Sequence, residues 1–364
     1  MDRRIEKLRA LLQREKLDGL LVTNDQNRYY ISSFSGSAGA LVVTAEHAIL
    51  LSDFRYQDQV AREAPAWEFR LIKPLEMPED KLVAAVVSEL RIGALGFEAG
   101  HVTVARHRVL GDALASAMST LEFRPTEGLI EELRTVKDQH ELAVLERAIA
   151  ITDQAFAAIR PLLRPEMRER DVAWELEKAM RMAGADGLAF PVIVAAGANS
   201  ARPHARAGDD QLGTGRPIVM DFGARVDGYH ADMTRTVILG EVDTQFTTIY
   251  EIVRDAQEHA RRHVRAGMSG KEADALARDK IAAAGYGDNF GHGLGHGVGL
   301  VIHEQPGIRT SNEEPLPAGT VCSIEPGIYL SEWGGVRIED LVLLEDGGAR
   351  TLTGSSKDPL VLLT

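Results

Sequence analysis

Hydrophobic residues in the first third of the chain recur in short runs separated by stretches with helical spacing. The N-terminal stretch places Ile5, Leu8, Leu11 and Leu12 on one face of a helix among charged residues. Apolar runs and helix-like segments then alternate up to about residue 125, which is typical of a compact α/β domain. The predicted strands are 19–22, 40–44, 48–52, 67–72, 94–97 and 121–124, and the further predicted helices are 55–64, 79–90 and 103–117.

The pattern changes around residue 128, where proline and glycine in Arg124-Pro125-Thr126-Glu127-Gly128 interrupt the alternation. We therefore expect a smaller N-terminal α/β domain over 1–128 and a second domain over 129–364. In the second domain, strands joined by short turns follow helices in mixed order, which favours an α+β fold with antiparallel pairs. Its predicted helices are 138–160, 169–183, 245–265 and 270–284, and its predicted strands are 191–196, 217–222, 229–239, 321–325 and 335–344.

A faint internal repeat lies in the second domain. PIVMDFG (217–223) is an apolar strand that ends in an acid and a glycine, and the strand after the turn carries Asp232. TVCSIEPG (320–327) repeats this arrangement, and Glu339 follows. Period-2 alternation points Asp221 inward, although any one such acid, taken alone, is more often solvated by the turn at its strand end. The repeat predicts two hairpins that each present two carboxylates.

Composition and charge exclude several functional classes. The 364 residues, 45% apolar and 26% charged, predict an ordinary globular protein of two domains. A net charge of −13 without a basic run opposes binding to nucleic acid. Cys322 is the single cysteine, so we expect no internal disulfide and a cytoplasmic location. No apolar stretch has the length of a membrane span or the form of a signal peptide, so we expect no membrane partner.

Four inward carboxylates would repel one another unless cations lay among them. Two divalent cations would balance their charge, and GHGLGHGVGLVIH (291–303) supplies imidazoles and glycines nearby. Glycines around His292 and His296 let the backbone approach closely, although His292 could equally serve in packing. Oxygen ligands with an imidazole suit Mn²⁺, Co²⁺, Fe²⁺ or Zn²⁺ and exclude a thiolate zinc site.

The motifs of other enzyme classes are absent from the sequence: no dinucleotide-binding, H-E-x-x-H, P-loop or G-x-S-x-G motif occurs. A hydrolase with paired metal ions is therefore the hypothesis.

These residues resemble the pita-bread metallopeptidases, a family that includes methionine aminopeptidase, aminopeptidase P and prolidase. The resemblance covers the whole chain, because YISSFSGSAG and LLSDFRY are similar to the N-terminal domain of creatinase and prolidases. It implies a pita-bread (creatinase/aminopeptidase) fold for the second domain. Five ordered motifs carry it: DFG with Asp221, HADMTRT with Asp232, GHGVGLVIH with His296, IEPG with Glu325 and VRIED with Glu339.

The resemblance implies two divalent metal ions per chain. By position, Asp221 would bind one metal, His296 and Glu325 the other, and Asp232 and Glu339 would bridge the two. Manganese is the favoured metal, with cobalt, zinc or iron as alternatives. Glu325 would also accept the proton of the attacking water.

Further residues match the family's substrate-binding region. His303 would stabilise the developing oxyanion, and His204 and His292 would shape the pocket for proline. Tyr329 and Arg337 would support the ligands and the substrate, or alternatively serve only in packing.

The implied activity is hydrolysis of the Xaa-Pro bond in small peptides with proline in second position. A prolidase, which acts on dipeptides, is favoured, and an aminopeptidase P, which acts on longer peptides, is the alternative. Arg202 and Arg206 flank His204 and are candidate partners for the free carboxylate of a dipeptide, unless both point to solvent. Relatives usually read Leu-Pro-His-Gly where this chain reads Arg-Pro-His-Ala, which leaves the geometry of this loop open.

Other members of the fold fit less well. The additional N-terminal domain disfavours a methionine aminopeptidase, and the five ligand positions disfavour creatinase and the non-catalytic binding proteins. We also expect a homodimer, in which the loop Gly36-Ser37-Ala38-Gly39 would approach the site of the partner; a plain surface turn is the alternative for this loop.

Overall fold

The computed structural model describes residues 2–361, and the chain divides into two compact units between Arg134 and Thr135. The predicted boundary near residue 128 lies just before a short helix, and the division lies near the end of that helix. None of the helices within residues 2–361 has the length and apolar character needed to cross a membrane.

The first unit contains one mixed six-stranded sheet with helices packed against it. The sheet has the order β4-β3-β2-β1-β5-β6, and β1, β5 and β6 run parallel. Its core includes Leu21, Val42, Leu51, Val87 and Leu95. The elements are α1 (Asp2–Arg14), β1 (Gly19–Val22), α2 (Asp25–Ser32), β2 (Ala40–Thr44), β3 (Ala48–Asp53), α3 (Gln57–Glu63), β4 (Glu68–Ile72), α4 (Glu79–Glu89), β5 (Ala94–Glu98), α5 (Val104–Ala117), β6 (Glu122–Thr126) and α6 (Leu129–Thr135).

Two features of the first unit differ from the prediction. Strand β6 continues through Pro125, because β6 is an edge strand and its free side does not require a backbone N–H donor at every residue. Helix α2 was not predicted from the sequence. Its buried face includes the polar residues Asn27, Arg28 and Ser32, so the sequence does not show the regular apolar spacing of an amphipathic helix.

The second unit contains four long helices and several short sheets. Its first elements are α7 (Gln139–Ile159), α8 (Glu169–Met182), β7 (Gly187–Leu188), β8 (Ile193–Ala196), β9 (Ile218–Phe222), β10 (Ala224–Val226), β11 (Tyr229–His230) and β12 (Met233–Leu239). The later elements are α9 (Thr244–His263), α10 (Gly270–Ala283), β13 (Gly295–Gly297), β14 (Glu304–Ile308), β15 (Val321–Ile324), β16 (Gly327–Leu330), β17 (Gly334–Arg337), β18 (Asp340–Glu345), β19 (Gly348–Thr351) and β20 (Leu360–Val361).

The second unit is built as two similar halves, each with its own core. In the first half, helices α7 and α8 cover the sheet β20-β12-β9-β8 through residues such as Phe156, Leu176 and Met220. In the second half, α9 and α10 cover the sheet β14-β13-β15-β18-β19 through residues such as Val253 and Ile324. Each half supplies one antiparallel strand pair, β9 with β12 and β15 with β18. This is the hairpin repeat that the sequence predicts.

Two predicted strands are interrupted. The stretch 229–239 is two strands, β11 and β12, and Ala231 and Asp232 lie between them. The stretch 335–344 is also two strands, because β17 pairs with β16 whereas β18 pairs with β15, and the chain must change sheets at Ile338 and Glu339. Both interruptions fall at an acid of the candidate site.

Candidate metal centre

Asp221 and Asp232 come from the first hairpin. Asp221 lies on β9 opposite Thr234 of β12, and Asp232 precedes β12 by one residue. Gly223, the glycine of the DFG motif, allows this turn to close, since a Cβ atom there would lie 1.8 Å from the carbonyl oxygen of Ala231. The motif therefore keeps the two acids on neighbouring strands at the same end of the hairpin.

Glu325 and Glu339 come from the second hairpin. Glu325 directly follows β15 and Glu339 directly precedes β18, and the two strands pair through Ile324 and Asp340. The backbone N–H of Glu325 donates to the carbonyl oxygen of Leu294 at 2.8 Å, which ties this acid to the segment before His296.

His296 lies on β13 between two glycines that permit very close strand packing. A Cβ atom at Gly295 would lie 2.0 Å from the carbonyl oxygen of Ser323, and one at Gly297 would lie 2.2 Å from that of Gln305. Nδ1 of His296 is 3.0 Å from the carbonyl oxygen of Gly297 and is suited to donate to it. Nε2, the nitrogen that would bind a metal, faces the acids.

Four of the five predicted ligands meet at this nitrogen. Ligand atoms of Asp232, His296 and Glu339 all lie within 4.8 Å of one another. Nε2 of His296 is 3.3 Å from Oε1 of Glu325 and 3.7 Å from Oδ2 of Asp232. The fifth, Asp221, accepts from Nη2 of Arg337 at 2.6 Å through Oδ2.

The donor set fits divalent cations. Oδ1 of Asp221 and Oε1 of Glu339 are buried and have no hydrogen-bond partner within the described residues, while the second oxygen of each acid accepts a hydrogen bond. A buried carboxylate oxygen without a donor is costly unless a cation binds it. Four carboxylates with one imidazole are ligands that divalent ions such as Mn²⁺, Fe²⁺, Co²⁺ and Zn²⁺ accept.

The electrostatics of the site also favour positive charge. Burial raises the pKa of Asp232 and of Glu339, and the neighbouring carboxylates raise each further. Burial would lower the pKa of His296 and raise that of Glu325, but the contact between these two side chains outweighs burial and shifts both pKa values the opposite way. A cation among these acids would therefore stabilise their charged forms.

A chain of hydrogen bonds supports the centre on one side. Arg337, which is 4% exposed, donates to Asp221, to the Tyr329 hydroxyl at 2.9 Å and to Oγ1 of Thr234 at 3.0 Å. The Tyr329 hydroxyl lies 3.0 Å from Nε2 of His292, whose other ring nitrogen lies 2.8 Å from the carbonyl oxygen of Gly293. Arg337 and Tyr329 therefore hold the Asp221 carboxylate and the His292 ring in place.

His303 lies beside His296 with ring centroids 4.2 Å apart and planes inclined by 67°. Burial, His296 and His204 all lower the pKa of His303, so the imidazole is neutral at pH 7. The side chain of His303 makes no hydrogen bond within residues 2–361. An N–H of a neutral imidazole is therefore available to a substrate.

The loop that carries His204, Arg202 and Arg206 is exposed. Nη1 of Arg337 lies 3.4 Å from the carbonyl oxygen of Pro203, which joins this loop to the ligand support. Neither Arg202 nor Arg206 has a side-chain hydrogen bond or ion pair in the described part of the chain. Both guanidinium groups are thus free to bind an anion.

Two residues of the centre were missed from the sequence. Thr234 donates to Oε2 of Glu339 at 2.8 Å, and Ser323 donates to Oε1 of Glu325 at 3.0 Å and accepts from the backbone N–H of His296. Thr234 lies two residues after Asp232 and Ser323 two residues before Glu325, so the period-2 alternation that points Asp221 inward could also have found these hydroxyls when applied to their strands.

The chain is similar to known peptidases over its whole length. The profile of Metallopeptidase family M24 matches residues 143–346, and that of the Creatinase/Prolidase N-terminal domain matches residues 4–136. An Xaa-Pro dipeptidase from Pyrococcus furiosus is 35% identical over 99% of this chain and 100% of its own length.

Solved structures agree with this similarity. An Xaa-Pro dipeptidase from Bacillus anthracis superposes with a TM-score of 0.95 at 39% identity, covering 99% of both chains. An X-Pro aminopeptidase from Thermotoga maritima superposes with a TM-score of 0.88 at 35% identity, covering 96% of this chain and 99% of the other. The predicted two-domain pita-bread architecture is confirmed, and the chain belongs to metallopeptidase family M24.

Proposed function

We propose that this protein is a metal-dependent Xaa-Pro dipeptidase that holds two divalent cations with Asp221, Asp232, His296, Glu325 and Glu339. The observation that supports it most strongly is the convergence of acids and one imidazole from two hairpins, with an unsatisfied buried oxygen on Asp221 and on Glu339. We propose Mn²⁺ as the native metal, with Co²⁺, Zn²⁺ or Fe²⁺ as alternatives. When bound, such cations would lower the pKa of a water molecule and so make it a nucleophile at neutral pH.

The chain's own residues carry the remaining steps. Glu325 is the acceptor for the proton of the attacking water, and the Ser323 hydroxyl fixes Oε1 of this carboxylate. The neutral His303 donates an N–H to the substrate carbonyl oxygen as negative charge develops there. His292, oriented by Tyr329, and the exposed His204 would contribute to the pocket for proline.

The two free arginines support a preference for dipeptides. A dipeptidase must bind the carboxylate of the proline, and a carboxylate that leaves water needs a cation or several donors. In a protein with a net charge of −13, Arg202 and Arg206 are two guanidinium groups that no carboxylate within the described residues pairs with. The contact between Arg337 and the carbonyl oxygen of Pro203 keeps the loop of both arginines close to Asp221, the partner of Arg337. Aminopeptidase P activity is the alternative, because the similar Thermotoga maritima protein is an X-Pro aminopeptidase.

A substrate series separates these activities. We would compare an Xaa-Pro dipeptide, its C-terminal amide and an Xaa-Pro-Yaa tripeptide at identical metal loading. The dipeptide should have the highest kcat/KM, and Arg202→Ala with Arg206→Ala should remove its advantage over the amide. Arg181→Ala, on the exposed face of α8, is the matched control and should change nothing. A tripeptide that is cleaved as well as the dipeptide or better would identify an aminopeptidase P.

Two further properties belong to this proposal. The lone buried Cys322 suits a reducing compartment, so we propose a cytoplasmic enzyme. We also propose a homodimer, which sedimentation of the purified protein would test.

A further inference from the structure

Arg235 is a fully buried arginine that touches no predicted ligand side chain. It lies on β12 and is 1% exposed. Its guanidinium donates to three backbone carbonyl groups at 2.9 to 3.1 Å, those of Thr234, Ser355 and Ser356, and to the carbonyl of Glu339. It also forms an ion pair with Asp340 at 2.8 Å. A cation with this many fixed partners defines the positions of the segments it joins.

Arg235 and the preceding residue, Thr234, both contact one proposed ligand, Glu339. The carbonyl oxygen of Glu339 accepts from Arg235, and its backbone N–H donates to the carbonyl oxygen of Thr234 at 3.1 Å. Its side-chain Oε2 accepts from the Thr234 hydroxyl. Glu339 lies where the chain changes from β17 to β18, so it lacks a strand ladder of its own and depends on these contacts.

Asp340, which balances the charge of Arg235, also pairs with Lys357 near the C-terminus. Asp340 is fully buried, and its second oxygen accepts from Gln257 at 3.0 Å and pairs with Lys357 at 2.5 Å. The carbonyl oxygen of Lys357 in turn accepts from the Tyr250 hydroxyl. Residues 355–357 are therefore held from both α9 and β12 beside Asp340, the residue that follows Glu339.

We propose that Arg235 is a positioning residue of the metal centre, which fixes the backbone of Glu339 against β12 and residues 355–356 and so sets the affinity for divalent cations. This inference rests on the proposed role of Glu339 as a ligand. Residues behind metal ligands typically change metal affinity 10- to 100-fold when they are replaced. Lysine offers three donors and no planar fork, so Arg235→Lys keeps the charge but cannot hold all of these carbonyl groups.

The test measures by calorimetry how tightly Mn²⁺ binds to protein from which a chelator has removed the metal. Circular dichroism confirms that each variant is folded. Arg235→Lys should bind Mn²⁺ about 10-fold or more weakly. At saturating Mn²⁺ its kcat and KM should stay within about threefold of wild type, since Arg235 touches no reacting group. Lys357→Met is the matched control: it removes the other cation from Asp340 without touching Glu339, and its Mn²⁺ affinity should match wild type within about twofold.

Wild-type Mn²⁺ affinity in Arg235→Lys would overturn the inference, as would an equal loss in Lys357→Met. If Arg235→Lys does not fold, Asp340→Asn takes its place, because asparagine keeps the oxygen that accepts from Arg235 but removes the negative charge. Asp340→Asn should weaken Mn²⁺ binding severalfold. Unchanged Mn²⁺ binding in this variant would refute the proposal. Glu339→Gln separates this inference from the proposed function. If Glu339→Gln retains both metals, the ligand assignment itself fails, whereas loss in Glu339→Gln alone rejects only the role of Arg235.

Discussion

His303 is the residue whose role can be tested most cleanly, because it contacts His296 but is not a proposed ligand. Its lowered pKa keeps the ring neutral at pH 7, so that it can donate one N–H to a developing oxyanion. We predict that His303→Ala lowers kcat about 10²- to 10³-fold, the usual cost of one such donor, with metal content unchanged. His263→Ala, an exposed histidine on α9, is the control. A change in KM alone would instead make His303 a ground-state binding residue.

Gly297 provides a second test at the residue scale. A methyl group there would lie 2.2 Å from a backbone oxygen of β14, so Gly297→Ala must move β13 away and displace His296. We predict a lower melting temperature and at least about 10-fold weaker metal binding, as for other changes behind a ligand. Gly291→Ala lies in the same glycine-rich segment, where a Cβ atom meets nothing within 4 Å. Equal behaviour of the two variants would refute this explanation of the glycines.

At the scale of elements, the regular parts could be predicted and the interruptions could not. The four long helices of the second unit follow from apolar spacing and from caps such as Asp138 and Ser269, whose capping boxes are formed. The acids Asp221 and Glu325 follow from alternation along apolar strands. Asp232 and Glu339 lie in breaks between two strands that pair with different partners. The local pattern of apolar and polar residues does not show which strands will pair, so it could not predict these breaks.

Buried charge between elements was equally hidden in the sequence. Lys137, just before α7, pairs with Glu304 at the start of β14, with side chains 1% and 6% exposed. Arg235 and Asp340 form a second such pair. Nothing in the spacing of these residues indicates that they meet, because their contacts depend on tertiary packing alone.

The Lys137 pair predicts a clear effect on stability. Lys137→Met would leave Glu304 buried beside a methionine, which typically costs about 3–5 kcal/mol. Replacing both, in Lys137→Met with Glu304→Leu, should recover much of this loss because no uncompensated charge remains. Urea unfolding of the two variants and wild type measures the difference. A single variant as stable as wild type would contradict this prediction.

At the scale of the whole molecule, the site exists because two halves of the second unit contribute one acidic hairpin each. Neither hairpin alone supplies enough proposed ligands for two cations, and three acids from both hairpins, Asp232, Glu325 and Glu339, lie around Nε2 of His296. A cation bound as we propose would therefore link the two halves. A ligand present at 100 times its Kd stabilises the folded state by about 2.7 kcal/mol, so chelation should lower the melting temperature and added Mn²⁺ should restore it.

Asp232→Asn tests the central claim most directly, through metal content and Xaa-Pro dipeptide hydrolysis measured on the same purified sample. Wild type should hold two divalent ions per chain, lose activity on chelation and regain it with Mn²⁺. Asp232→Asn should fold, hold at least one metal ion fewer and have almost no turnover. Near wild-type hydrolysis by Asp232→Asn with two ions bound, or hydrolysis by wild type stripped of metal, would contradict the account.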